Sequence, residues 1–190
     1  MFSIRTRRPA LGLVAAALAA LLAVAPVAAA DVVTQAVTAG TRTASVANLT
    51  LTSKAYSHSA QTSTGTMTLT ADDSTGSNLG WNVTVVSSAF VYSGGNGGTN
   101  IPAANFSLTS AAAPVMTAGQ AVDTLGVGGP KVPAISPVGT LDSARKTVQA
   151  LVLFGNGTYT QALGVSLSIP AQSAAGTYTG TLTTTIAAAP

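Results

Sequence analysis

Apolar and polar residues alternate along much of this chain. In "TYTGTLTTTI" (177–186), Tyr178, Leu182, Thr184 and Ile186 share one side, and Thr177, Thr179, Thr181, Thr183 and Thr185 take the other. Successive side chains of a β-strand point to opposite faces, so this spacing predicts a strand with one buried and one wetted face. Threonine suits the wet face because it is β-branched yet polar. "LGVSLSI" (163–169) repeats the pattern with Leu163, Val165, Leu167 and Ile169 inward. "TGTMTLT" (64–70) turns Met67 and Leu69 inward, and "WNVTVVSSAF" (81–90) opens with Trp81, Val83 and Val85 on one face. "TVQALVLF" (147–154) is apolar on both sides and predicts a central strand. Weaker strands are expected near 46–53 and 103–109.

Turn chemistry separates these runs. "DDSTGSNLG" (72–80) and "GGNGG" (94–98) have the Gly, Asn, Asp and Ser content of loops. "GNG" (155–157) reads as a tight hairpin link, and "GVGGPKVPAISPVG" (126–139) as a long Gly/Pro loop. A short turn is expected at 141–146, and no helix in the folded part. Short strands with turns between them predict an all-β fold, a single antiparallel β-sandwich of the Ig-like or Greek-key type.

The first thirty residues do not fit that pattern. "MFSIRTRRPA" is basic, an apolar Ala/Leu/Val run follows, and Ala28-x-Ala30 precedes Asp31. This is the layout of a signal peptide, which places the folded domain at 31–190 in an exported chain. The apolar run ends at small residues, so it is read as a cleaved leader and not a membrane span, and the mature chain has no span of its own.

Cleavage also changes the charge. The formal +3 counts eight Lys and Arg against five Asp and Glu, and Arg5, Arg7 and Arg8 leave with the leader. Five minus five leaves zero. Nucleic acid is therefore not expected as a partner. With Cys 0, the domain must hold together by its core alone.

Little in the folded part can carry chemistry. It has no Glu, and His58 is its one histidine. A hydrolytic triad needs a nucleophile, a base and an orienting acid together, and Ser57-His58-Ser59 gives only neighbours whose side chains alternate in direction. No catalytic residue and no enzyme activity are expected. Asp72-Asp73 sits among oxygen donors but lacks the spacing and terminal Glu of a calcium loop. It reads as a turn pair bonding backbone N–H groups, so no metal and no cofactor are expected. Asn48, Asn82, Asn105 and Asn156 stand in N-x-S/T contexts of the kind a Ser/Thr-rich chain produces by chance. Two readings stand for Trp81. It is a core aromatic beside Val83 and Val85, or a partly exposed ring that stacks on a sugar or a partner. Tyr92, Tyr159 and Tyr178 carry the same choice.

Two long stretches together resemble the WxL surface-domain family. "LTADDSTGSNLGWNVTVVSSAFVYSG" (69–94) is similar to its first characteristic region: a strand, an Asp-bearing Gly turn, then Gly-Trp and an alternating strand. "GNGTYTQALGVSLSIPAQSAAGTYTGTLTTTIAAAP" (155–190) is similar to its C-terminal region. The first family triplet falls on Trp81-Asn82-Val83, with Val in place of Leu. The second falls on Thr184-Thr185-Ile186, where the Trp is lost.

The resemblance implies export to the bacterial cell surface and non-covalent attachment to peptidoglycan, with other cell-surface proteins as further partners. The chain shows no sorting motif, lipidated cysteine or hydrophobic tail, in keeping with non-covalent contact. Trp81, Val83, Tyr92, Thr184 and Ile186, with the loops 72–80 and 92–100, are the expected wall or partner contacts. The alternative is a structural or adhesive subunit of an exported assembly that does not itself bind peptidoglycan. Such a subunit would form homo- or hetero-oligomers through exposed strand edges.

Overall fold

The computed structural model describes residues 33–188, so the expected leader at 1–30 lies outside the described residues. The described chain is almost entirely β. Its strands are β1 (Arg42–Val46), β2 (Gln61–Asp73), β3 (Trp81–Ser87), β4 (Val91–Ser93), β5 (Phe106–Ala111) and β6 (Val115–Gly119). They continue with β7 (Gly139–Thr140), β8 (Arg145–Ala150), β9 (Gly157–Ile169), β10 (Thr177–Thr179) and β11 (Leu182–Ala188). The one helical element among the described residues is a 3-10 turn at Ala103–Asn105.

The larger sheet runs β1-β2-β9-β5-β7, with β6 also paired to β9; the smaller runs β11-β3-β8, and β4 and β10 form a separate pair. Every strand pairing is antiparallel. Neighbours such as β2 and β9 are distant in sequence, as Greek-key connections require.

The spine of the larger sheet is the β2–β9 ladder, which stays in register from Gln61↔Ile169 to Asp73↔Gly157. Its inner row carries Met67, Leu69 and Ala71 from β2, and Tyr159, Leu163, Val165 and Leu167 from β9, all buried. The smaller sheet answers with Trp81, Val83 and Val85 of β3 and Val148 and Ala150 of β8. These rows form one apolar cluster, as expected for two sheets packed over a shared core. A fully buried Leu or Val of this kind contributes about 1.5–3 kcal/mol. Leu182 and Ile186 are half-buried against the same cluster, while Thr183 and Thr185 between them face outward.

Several expected elements differ. The apolar run at 147–154 is not a central strand: β8 stops at Ala150, has β3 as its one strand partner with only a single bridge from Gln149 to Lys131 on its other edge, and leaves Leu151, Val152 and Leu153 exposed. The chain has to leave the smaller sheet here. Leu153 adopts φ 72° and its N–H donates to Asn78 O at 2.9 Å, which ends the strand geometry. For the same reason "GNG" is not a hairpin link. β8 and β9 belong to different sheets, and residues 151–156 carry the chain between them.

The strand expected near 46–53 is β1 at Arg42–Val46. Beyond it Leu49 and Leu51 still turn inward, close to Gly65, but no neighbouring strand pairs with them. Near 103–109 a 3-10 turn precedes β5. The run 177–186 breaks at Gly180–Thr181, because β10 pairs with β4 and β11 with β3.

Candidate functional site

The two family triplets lie side by side. In the β3–β11 ladder Ile186 faces Val83, Thr184 faces Val85, and Ala188 faces Trp81. The structure thus joins Val83 to Ile186 but sets Trp81 beside Ala188, away from Thr184. Trp81 and Val83 are 0% exposed, so neither offers surface to a ligand. Of the two readings open for Trp81, its placement is that of the core aromatic.

The indole Nε1 donates to Gly155 O at 2.8 Å, and the ring lies 6.0 Å from that of Tyr159. Gly155 has φ 84°, and a Cβ there would come within 2.6 Å of the indole nitrogen, so only glycine fits. Trp81 therefore ties the smaller sheet to the crossing segment 151–156. Thr184 and Ile186 are half-buried on the inward row of an edge strand.

Tyr92 staples a loop corner. Its backbone lies opposite Tyr178 in the β4–β10 pair, with ring centroids 5.3 Å apart. Its hydroxyl donates to Ala175 O at 3.0 Å and accepts from Asn96 N–H at 3.1 Å. Asn96 Nδ2 also donates to Ala175 O at 2.8 Å, so loop 94–100 and segment 174–176 are held together.

The acidic turn closes on itself. Thr75 donates to Asp73 Oδ1 through its N–H at 3.0 Å and its hydroxyl at 2.6 Å, and Arg42 Nη2 lies 2.9 Å from Asp73 Oδ2. Burial alone would raise the Asp73 pKa. The hydrogen bonds from the Thr75 hydroxyl and backbone, and then Arg42, outweigh it and hold the carboxyl below its ordinary value. Asp72 accepts from Ser74 and Thr158 hydroxyls at 2.7 and 2.6 Å. No group of three or more metal-ligating side chains occurs among the described residues. His58 is exposed and edge-on to Tyr56, ring centroids 5.2 Å apart.

The loops 72–80 and 92–100 do not converge. One precedes β3 and the other follows it, so the strand sets them apart by roughly 20 Å. Two other surfaces are better defined. The first is the outer face of the β2–β9 ladder, where Thr62↔Ser168, Thr64↔Ser166 and Thr70↔Thr160 pair across the strands beside Thr66 and Thr68. This is an array of hydroxyls without charge from Thr62 to Thr70, bounded at one end by the Asp72↔Thr158 pair. Threonine alternation in β2 was its one trace in the sequence.

The second is a cleft of about 640 Å³ between segment 49–57 and segment 173–180. It adjoins a second hollow of about 460 Å³ that shares Leu49, Leu51, Phe90, Thr179 and Gly180. No sequence signal marked it, because its walls lie more than a hundred residues apart.

A family model described as "WxL domain surface cell wall-binding" matches residues 22–190. No curated protein and no solved structure matches the chain.

Proposed function

Because this chain belongs to the WxL domain family of surface, cell wall-binding domains, we propose that it binds peptidoglycan non-covalently and without catalysis. The family places it outside the cell, associated with the cell surface. The observation that carries the finer reading is the outer β2–β9 face. Wall glycan and its short peptides present hydroxyl, amide and carbonyl groups. A ladder of Thr and Ser can meet these with donors and acceptors at the regular strand spacing. Opposed charge is not needed, since the expected mature chain balances five cations against five anions.

The residues expected to make contact take different parts in this reading. Trp81 and Val83 shape the sheet from within. Tyr92 fixes the loop 94–100, and Thr184 and Ile186 lie along the β11 edge. Co-sedimentation with purified, protein-free peptidoglycan sacculi tests the proposal. Wild type should pellet with the sacculi. The triple variant Thr64→Val, Thr66→Val, Thr68→Val keeps the strand shape but loses three hydroxyls, and should be retained severalfold less. A soluble wild type, or a triple variant that pellets equally well, would refute it.

A further inference from the structure

The cleft beside β10 has walls with unused backbone groups. Among the described residues, no backbone N–H from Asn48 to Tyr56 donates to another main-chain group. Thr52 O accepts only the Ser63 hydroxyl, at 2.9 Å. The facing wall includes β10, which is paired on one edge only, to β4. Between the walls the cleft is lined by Phe90, Ile101, Leu167 and Ile169, and Lys54 is its single charged residue. A lining that mixes these apolar side chains with Ser and Thr hydroxyls, set between two unpaired edges, fits an extended, neutral peptide that adds itself as a strand.

The chain carries such a peptide. Residues 33–39, "VTQAVTA", are uncharged and in no strand or helix, with Val33 94% and Val37 93% exposed. Their spacing puts Val33, Gln35, Val37 and Ala39 on one side of an extended segment. Gly40 N–H donates to Ser74 O, which anchors this segment at the far end of β1 from the cleft. Doubling back along β1 would use roughly 17 Å of the about 25 Å that seven residues can span. The segment therefore cannot fill its own cleft.

We infer that residues 33–39 of one copy insert as a strand into the cleft between segments 49–57 and 173–180 of a second copy. The contact joins two different surfaces, so it closes into a pair where two copies exchange segments and otherwise builds rings or open chains of subunits. It goes beyond wall binding and stands whether or not the hydroxyl face holds peptidoglycan.

Size-exclusion chromatography with light scattering on the exported chain tests it. Wild type should assemble as concentration rises. Val33→Asp with Val37→Asp should need about tenfold or more higher concentration, because two buried valines are lost. That double variant keeps an open cleft, so calorimetric titration should show it binding the synthetic peptide DVVTQAVTAG. The same peptide N-methylated along its backbone should not bind. Since the chain has Cys 0, the single variants Ala36→Cys and Thr52→Cys should form a mixed disulfide when combined. A chain monomeric at every concentration, a peptide without affinity, or a glycan fragment occupying the cleft in the peptide's place would overturn the inference.

Discussion

Two side chains bear most of the local consequence. Trp81 fills the core and bonds a backbone carbonyl of the crossing segment. Trp81→Ala should therefore cost about 3–5 kcal/mol in urea unfolding followed by circular dichroism. A stable variant that lost only wall retention would instead make the ring a contact residue. Asp73 sets the acid limit. Its folded pKa is lowered, so its contribution is complete above the unfolded value of about 4 and is lost as pH falls through the folded value. Unfolding free energy should drop as the pH falls below about 4, and Asp73→Asn should shrink that drop. Arg42→Ala, which strips the buried carboxylate of its cation, should cost about 1–3 kcal/mol at neutral pH.

Among the elements, alternation told which strands exist better than it told where they pair. β2, β3, β9 and β11 were legible because each has a covered and an uncovered face. β6 was not, since all five of its residues are exposed and it shows no inward row. Leu151, Val152 and Leu153 misled in the other direction. Hydropathy cannot separate an apolar loop from a strand buried on both faces, and only the jump between sheets decides it. The two segments should respond very differently to substitution. Leu163→Ala in β9 should cost about 2–5 kcal/mol, whereas Val152→Ser or Leu153→Ser should stay within about 0.5 kcal/mol. The candidate surfaces divide in the same way. The threonine face follows from one strand's own pattern, while the cleft exists only because topology brings 49–57 and 173–180 together.

The two sheets of the β-domain are unequal. A broad sheet faces a narrow one, and β4 and β10 split off as a separate pair, leaving the cleft beside them. The surface is also nearly free of charge. Adhesion by such a surface should resist salt. Retention on sacculi should change less than about twofold when sodium chloride rises from about 0.05 to 0.5 M, a range over which ion pairing is largely screened. A steep loss would place the contact on the few lysines and arginines and not on the hydroxyl ladder.

One further property comes from the bond between Trp81 and Gly155. The sequence has Trp 1, so all indole fluorescence originates at the seam between the two sheets. Emission should be blue in the native protein and redden once the sheets part and water reaches the ring. A ligand entering at the opposite end of β3 would leave that colour unchanged, which makes the domain its own optical gauge of whether an event opened the sandwich or only decorated it.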